Sequence, residues 1–264
     1  MRLASYLERV GVSAPLAADE GSLRRLHAAH RERFLFENLT IQTGGTISLA
    51  LPDLERKFLD EGRGGYCFEH NSLFAAALGA IGFAPVTLLG RVRGGAPERR
   101  CRTHMVLRVP GVPTVLCDVG FGGLGLLEPI ALLDGATAVQ GGLEYRIRRE
   151  DHLWVLAMRD AAGERDLYEV PDDPQTPWDV EIANHFTATH PESPFRRMAT
   201  IQRASRDERV ILRGTTVVRY RGGVRTEESI AAADVPRYAR ELFGVEWPAG
   251  PLVCDQYSSA KLTT

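Results

Sequence analysis

The chain of 264 residues has few cysteines, only two lysines and no long apolar run. Its four cysteines are too few for a disulfide-stapled scaffold at this length. No segment approaches the roughly 18 uninterrupted apolar residues that indicate a membrane-spanning helix, so none is expected. Charged residues also interrupt the N-terminal segment too early for the apolar core of a signal peptide. A reducing cytoplasm is therefore the expected location.

Charge and composition indicate which kinds of binding partner to expect. The net charge of −2 gives no reason to expect nucleic acid or a membrane surface. The two lysines, Lys57 and Lys261, stand among 32 basic residues, which we attribute to genome composition rather than to function. The apolar content of 44% is that of an ordinary globular protein. At this length the chain can bury a sizeable core, in one large domain or in two to three small ones.

The first 80 or so residues are predicted to be mostly helical. Large side chains recur there at three- and four-residue spacing, the mark of one buried helix face, at Leu23, Leu26, His30 and Phe34. A second short helix is predicted over residues 51–60. A third covers residues 68–81, and Gly82 suits its C-terminal end.

After residue 85 the pattern changes to short strands separated by turn residues. The predicted strands are 86–92, 104–109, 114–119, 144–148, 153–158 and 166–170, which indicates an antiparallel sheet or small barrel. Residues 171–177 form a loop by composition. The last third combines strands 210–212 and 215–220 with a helix from about 235 to 243, for which Asp234 is the expected N-cap and Gly244 the stop. This order predicts an α+β fold, not a βαβ array.

Cys67 is the first candidate for chemistry. It follows two glycines and stands where a helical pattern begins, so a helix N-terminus and a neighbouring imidazole could both favour its thiolate. Two glycines also permit a sharp, close-packed approach to the helix start. The alternative is a buried cysteine that acts only as a small hydrophobe.

His104 and Asp118 are the candidates for base and orienter, which with Cys67 would complete a catalytic triad. Asp118 is hard to explain otherwise, because an unpaired aspartate is rare in an apolar strand. If the intervening hairpin loop spans residues 109–113, His104 lies directly opposite Asp118, whereas a loop one residue shorter or longer would put them on opposite faces. His70, three residues after Cys67, is an alternative base, but it has no evident carboxylate partner.

No metal site is expected. Cys101 and His104 have ligand-like spacing, and Cys67 and Cys117 could add two ligands, but paired C-x-x-C spacing is missing. Cys117 also alternates away from its neighbour Asp118 on the strand.

Two further features remain open on the sequence alone. Glycines in the segment 120–125 could present backbone N–H groups to a phosphate, but no helix start follows, and a plain glycine-rich turn is the alternative. Glu37 and Arg63 could form an ion pair that fixes the loop before Cys67, or they could be two solvated charges.

Five segments in order resemble motifs of the arylamine N-acetyltransferase family, over a match from about residue 5 to about residue 245. They are Phe36-Glu37-Asn38-Leu39, with Leu35 where proline is usual; Arg63-Gly64-Gly65-Tyr66-Cys67-Phe68-Glu69-His70-Asn71; Arg102-Thr103-His104-Met105; Asp118-Val119-Gly120-Phe121-Gly122-Gly123; and Asn184 with Thr189-His190-Pro191-Glu192-Ser193-Pro194-Phe195, with Ala188 in place of serine. The cysteine and aspartate motifs are specific when they occur together.

The resemblance implies an α+β fold with a core like that of cysteine proteinases and transglutaminases. It divides the chain into a helical bundle (residues 1–84) that carries the nucleophilic cysteine, an antiparallel β-barrel (85–190) that carries the histidine and aspartate, and a C-terminal α/β lid (191–264).

The resemblance also implies a reaction. An acetyl group would pass from acetyl-coenzyme A to an arylamine, arylhydrazine or N-hydroxyarylamine by a ping-pong mechanism, with Cys67, His104 and Asp118 as the triad. The implied acceptor contacts are Phe36, Tyr66, Val92 and Phe121, the implied coenzyme A contacts are Thr103, Gly122, Gly123, Thr189 and Ser193, and the implied supports are Glu37 and Arg63. A monomer or homodimer without metal is expected.

Three alternatives use the same fold. A related group of amide synthases, which release macrolactam antibiotics from polyketide assembly lines, keeps the triad but takes a carrier-bound acyl chain. A hydrolytic cysteine enzyme and a non-catalytic binding module are the other two.

Overall fold

The computed structural model describes residues 1–94, 96–111 and 113–258. Its N-terminal part is helical, as predicted. The α-helices there are α1 (Leu3–Val10), α2 (Glu20–Arg33), α3 (Leu39–Gln42), α4 (Leu51–Glu55), which a π-helical turn extends over Arg56–Asp60, and α5 (Cys67–Ile81). A two-residue strand, β1 (Phe36–Glu37), lies between α2 and α3.

Local chemistry sets the ends of the two long helices. The Asp19 side chain accepts a hydrogen bond from the Ser22 backbone N–H at 2.7 Å, which caps α2. At the start of α5 the Glu69 side chain accepts from the Tyr66 N–H at 3.1 Å. Helix α5 ends at Gly82, whose φ of 110° is left-handed.

Eight antiparallel strands then form a nearly closed barrel, in the spatial order β5-β4-β3-β2-β9-β8-β7-β6. They are β2 (Val86–Val92), β3 (His104–Val109), β4 (Val115–Cys117), β5 (Ile130–Ala131), β6 (Thr137–Gln140), β7 (Leu143–Glu150), β8 (Leu153–Asp160) and β9 (Gly163–Pro171). All the strands predicted between residues 86 and 170 are confirmed, although β4 ends at Cys117 and leaves Asp118 outside it.

Two helices follow the barrel, α6 (Pro177–Thr189) and α7 (Pro194–Arg197). They lead into a second sheet of order β1-β10-β11-β12-β13, whose last four strands are β10 (Thr200–Ala204), β11 (Glu208–Arg213), β12 (Thr216–Arg221) and β13 (Val224–Ser229). This sheet includes β1 from the N-terminal part. It is followed by α8 (Val235–Phe243) and α9 (Asp255–Ser258).

The α+β architecture is confirmed, although several of its elements were not predicted. Helix α6 was not predicted, although its apolar residues Val180, Ala183 and Ala188 pack with the N-terminal helices. Asp234 occupies the predicted N-cap position of α8, but its side chain makes no capping hydrogen bond, because a 3₁₀ turn over Ala232–Asp234 leads directly into the helix.

The three-part division at residues 84 and 190 stays a prediction. The last six positions of the predicted lid, 259–264, lie outside the described residues, and Lys261 is among them. Within the described ranges, no helix combines the length and apolar character needed to cross a membrane.

Candidate active site

Cys67 lies at the first position of α5, and it is a free, buried thiol. The two glycines before it are required by close contacts. A Cβ on Gly64 would come within 1.8 Å of the Leu35 carbonyl oxygen, and a Cβ on Gly65 would come within 2.5 Å of the Glu69 carboxylate. The Gly65 carbonyl accepts the N–H of Glu37 at 2.8 Å, so the loop runs beside β1 and delivers Cys67 to the helix start.

His104 and Asp118 meet, as predicted, but the register that brings them together differs. The His104 Nε2 atom lies 2.8 Å from Asp118 Oδ2, and both side chains are buried. Val109 pairs with Val115, so the loop spans 110–114, one position later than predicted, and Val112 within it lies outside the described residues. Moving a five-residue loop by one position keeps the facing parity, which is why the two side chains still share a face.

Asp118 is held from several elements at once. Its Oδ1 accepts the Gly120 N–H at 2.9 Å and the Asn71 side-chain amide at 3.2 Å, while its own N–H donates to His27 Nε2 at 3.1 Å. A Cβ on Gly120 would lie 2.7 Å from the Cys67 Cα, so only glycine permits this approach. The loop after β4 is therefore packed directly against the start of α5.

The electrostatics favour an imidazolium beside a carboxylate. Burial alone opposes the charge on His104, but the charge and hydrogen bond of Asp118, together with Cys67, outweigh burial and raise the pKa of His104 to about 10. Burial likewise opposes ionisation of Asp118, but His104, the Gly120 N–H and Asn71 bring its pKa down to about 2. Because His104 Nε2 is hydrogen-bonded to Asp118, Nδ1 is the ring nitrogen available to interact with Cys67. The Cys67 sulfur also contacts the Thr103 carbonyl oxygen at 3.7 Å.

His70, the alternative base, is engaged elsewhere. Its Nε2 lies 3.0 Å from the Leu35 carbonyl oxygen and its Nδ1 lies 2.9 Å from His30 Nε2. His30 Nδ1 in turn lies 2.9 Å from the Tyr6 hydroxyl. Because a carbonyl can only accept, the contact with Leu35 requires a proton on His70 Nε2. Burial lowers the pKa of His70 to about 3, which keeps the ring neutral and leaves His104 as the candidate for the base.

The predicted acceptor residues divide into two groups. The Phe121 ring lies 5.1 Å from the His104 ring and is half-buried, next to the proposed chemistry. Phe36 and Tyr66 are buried instead, and the Tyr66 hydroxyl bonds to Asn184 on α6. Val92 is exposed at the end of β2. The acceptor roles of all four stay predictions.

One aromatic residue beside His104 was missed. The Tyr168 ring lies 4.7 Å from the His104 ring and 5.2 Å from Phe121. It is buried in β9, which pairs with β2 and not with the histidine strand. Only the alternation of an apolar strand could have suggested an inward tyrosine, and nothing in the sequence connects it to His104.

The predicted coenzyme A contacts are largely committed to other groups. The Gly123 N–H donates to Gln202 Oε1 at 2.6 Å. Ser193 is buried and accepts the Phe195 N–H, so it caps α7. Thr189 is exposed, but its hydroxyl donates to the His185 carbonyl at 2.7 Å. Of the five, Thr103 is the one in contact with the thiol, through its carbonyl oxygen.

Glu37 and Arg63 form an ion pair, the first of the two possibilities that the sequence left open, with Arg63 Nη2 at 2.8 Å from Glu37 Oε1. Lys57 joins them, 4.0 Å from Glu37 and 2.6 Å from Glu69. Since Glu69 also accepts the Tyr66 N–H, these charges connect β1 to the first turn of α5. The pair therefore anchors the loop that leads to Cys67.

The described residues contain no group of three or more His, Cys, Asp or Glu side chains arranged to hold a metal ion. Of the other cysteines once considered as ligands, Cys101 is exposed and Cys117 is buried.

Comparison with known proteins identifies the family. The sequence model of the N-acetyltransferase family matches residues 20–250. The arylamine N-acetyltransferase of Mycolicibacterium smegmatis is 35% identical over 230 residues, which is 84% of each chain. The chain belongs to the arylamine N-acetyltransferase family. It is accordingly an acyltransferase.

Solved structures of family members share the fold. An M. smegmatis arylamine N-acetyltransferase superposes with a TM-score of 0.88 at 33% identity, covering 98% of both chains. The Mycobacterium marinum enzyme, whose structure was solved in complex with CoA, gives a TM-score of 0.86 at 31% identity, covering 92% of both chains. The bundle, barrel and second sheet described above are thus those of the family.

Proposed function

We propose that this family member transfers an acetyl group from acetyl-coenzyme A to an arylamine, arylhydrazine or N-hydroxyarylamine, through an acetyl-Cys67 intermediate. One observation carries the proposal, namely a buried His104 imidazole held by Asp118 at 2.8 Å beside a thiol at the start of a helix. The complex of the M. marinum relative with CoA supports coenzyme A as the acyl carrier.

In the first half-reaction the Cys67 thiolate attacks the acetyl thioester carbon. The carbon–sulfur bond to coenzyme A breaks, and the departing thiolate takes the proton of the His104 imidazolium. The helix N-terminus and the imidazolium both stabilise the attacking thiolate. Asp118 stabilises the charged ring and fixes its orientation, so that the same nitrogen faces the sulfur throughout.

In the second half-reaction the acceptor amine attacks the acetyl-Cys67 carbonyl. His104, now neutral, accepts the proton of the amine, and the bond to Cys67 breaks to release the amide and restore the thiolate. The half-buried Phe121 ring, 5.1 Å from the His104 ring, offers an apolar surface suited to an aromatic acceptor, and the fully buried Tyr168 ring packs behind both.

The test follows both half-reactions. Acetyl-coenzyme A is incubated with the protein and a panel of anilines and hydrazines, and release of free coenzyme A thiol is measured. Mass spectrometry without acceptor should find one acetyl group on Cys67. A Cys101→Ser variant, which removes an exposed thiol near the site, should label and turn over as the wild type does.

Each alternative has its own outcome. Thiol release that does not depend on amine would mean hydrolysis. Absence of release from acetyl-coenzyme A, with transfer from a long carrier-linked acyl chain, would mean an amide synthase. Acetyl found on a residue other than Cys67, or intersecting lines in double-reciprocal kinetics, would exclude the ping-pong path.

A further inference from the structure

Two buried arginines hold the loop that follows Asp118, residues 119–127. Arg31 lies on α2 and Arg209 lies on β11, and each is at most 2% exposed. They approach the loop from opposite parts of the chain. Within the described residues no carboxylate forms a salt bridge with either one.

Their guanidinium groups donate to backbone carbonyls instead. Arg31 reaches three carbonyls of the loop, those of Leu126 at 3.1 Å, Val119 at 3.2 Å and Gly122. Arg209 donates through Nη1 to Gly123 at 2.8 Å and Gly125 at 2.6 Å, and through Nη2 to Gln140 at 3.1 Å. Five carbonyls of one nine-residue loop are thus fixed by two cations.

Burying two guanidinium groups in this way costs folding free energy through desolvation. A buried guanidinium without a carboxylate loses its hydration and recovers only hydrogen bonds to neutral acceptors. A surface turn could satisfy the same carbonyls with water at no such cost. The two arginines therefore fix the conformation of this loop more firmly than is needed merely to connect β4 to β5.

The held loop carries the groups that touch the proposed triad. Gly120 lies against the backbone of Cys67, and its N–H donates to Asp118. Phe121 lies with its ring 5.1 Å from that of His104. A displacement of the loop would move all three contacts together.

We propose that Arg31 and Arg209 are positioning residues, which lock the loop 119–127 so that Asp118 and His104 stay aligned on Cys67. The inference rests on the proposed function, in which His104 activates the Cys67 thiol. The competing explanation is that the two arginines contribute only to folding.

The rate of Cys67 alkylation by iodoacetamide separates the two explanations, and it requires no acyl donor. If the arginines only stabilise the fold, loosening it exposes a buried thiol and speeds alkylation. If they position His104, loosening the loop removes the activation of the sulfur and slows alkylation. The two roles therefore predict changes of opposite sign.

The experiment compares Arg209→Met with Arg221→Met, an arginine on the next strand that is exposed and bonds to Glu208. Alkylation is followed at about pH 7 on the peptide that contains Cys67, so that Cys101 does not interfere. We expect Arg209→Met to slow alkylation between about ten- and a hundredfold, and Arg221→Met to leave it unchanged. An unchanged or faster rate in Arg209→Met would overturn the proposal.

A second variant covers the case in which Arg209→Met does not fold. Arg209→Lys keeps the cation, but a single ammonium cannot reach all three carbonyls. It should fold and show an intermediate loss of alkylation rate. Failure of both variants to fold would make Arg209 a folding residue and would refute the positioning role.

Steady-state kinetics add a check specific to transfer. Positioning predicts that kcat/KM for acetyl-coenzyme A falls together with the alkylation rate, because in a ping-pong reaction this ratio reports only the first half-reaction, in which Cys67 attacks the donor. An unchanged kcat/KM for acetyl-coenzyme A in Arg209→Met would overturn the proposal. If the wild type transferred no acetyl group, the proposed function would fail, but the alkylation comparison would still decide the role of Arg209.

Discussion

Buried histidines occur in two regions of this molecule, and their charge states differ. In the helical bundle, His27, His30 and His70 are fully buried, and burial lowers the pKa of each, to about 4 for His27 and about 3 for His70. At the start of β3 in the barrel, His104 is also buried, yet its pKa is raised to about 10. Desolvation lowers the pKa of a histidine, so it cannot by itself explain both the lowered pKa values in the bundle and the raised pKa of His104.

The difference is a carboxylate. The bundle histidines satisfy their nitrogens with neutral partners, a hydroxyl, a carbonyl or another imidazole, which suit an uncharged ring. His104 has Asp118 at 2.8 Å, and that charge more than offsets the penalty of burial. One acidic side chain thus separates a structural histidine from a candidate base.

The largest expected effect is the difference in protonation itself. Nitrogen-15 NMR of the imidazole rings should show His104 as a cation at neutral pH and His27, His30 and His70 as neutral rings. The pKa values of His104 and His27 differ by about six, which corresponds to roughly 8 kcal/mol. His104 should titrate together with Asp118 as one coupled pair. A neutral His104 signal at pH 7 would remove the contrast.

The next largest effect is that of Asp118→Asn, which gives His104 a neutral partner like those in the bundle. We expect transfer to fall by about ten-thousandfold, because the amide cannot stabilise an imidazolium and favours the wrong tautomer. The variant should fold, since the side chain keeps its size. The measurement is kcat together with the thermal unfolding midpoint.

Asp160→Asn provides the matched control. Asp160 is also buried and accepts a hydrogen bond from Arg165 at 2.9 Å, but it lies on β8, away from the triad. It should lose stability and keep its turnover. If Asp118→Asn retained near-normal turnover, or if it unfolded, Asp118 would be a structural residue.

The bundle histidines should make the protein sensitive to acid. Between about pH 6.5 and 5 each is protonated in the unfolded chain and neutral in the native one, so the unfolded state binds more protons and stability falls as pH falls. The loss is about 2 kcal/mol for each histidine over that range. His104 contributes no slope there, because its pKa is raised and it is protonated in both states.

Denaturant unfolding across that pH range checks the slope. Glu69, whose pKa is raised by burial, acts in the opposite direction, so the sharpest measure is a difference between variants. His70→Gln removes one of the three bundle protonation sites and should reduce their combined slope by about a third. An unfolding free energy that is independent of pH in both proteins would contradict the neutral bundle.

The positions of the candidate triad were predictable because their signals are local, and the catalytic role of the three residues stays a prediction. A Gly-Gly pair before a helical pattern pointed to Cys67, and an aspartate beside an apolar strand pointed to Asp118. The predicted hairpin register was wrong by one loop position, because sequence shows where polar residues lie but not where the ladder of hydrogen bonds stops. The prediction that His104 and Asp118 share one face of the sheet still held, because a shift of one loop position keeps the parity of the strand pairing.

Features that depend on distant contacts were not predictable. The pairing of β1 with β10 joins segments that are far apart in the chain, and Arg31 and Arg209 resemble any other arginines in a sequence rich in them. Helix α6 is different, since Thr176 and Asp179 form a capping box around Pro177 and gave a usable signal. The sequence therefore contained a signal for α6 that our prediction did not use.

The smallest expected effect comes from Tyr6→Phe. The Tyr6 hydroxyl lies 2.9 Å from His30 Nδ1 and donates to it when neutral His30 carries its one ring proton on Nε2, facing His70 Nδ1. Removing the hydroxyl should destabilise the protein by about 1 kcal/mol, because a buried acceptor loses its donor. Denaturant unfolding measures the loss of stability. The control is Tyr238→Phe, which removes an exposed hydroxyl bonded to Glu228 and should change the unfolding free energy little.

A loss of stability near zero in Tyr6→Phe would mean that the hydrogen-bond chain does not fix the tautomer of His30. A cost of the expected size with unchanged acetyl transfer would confine the bundle histidines to stability and leave activation of Cys67 to His104.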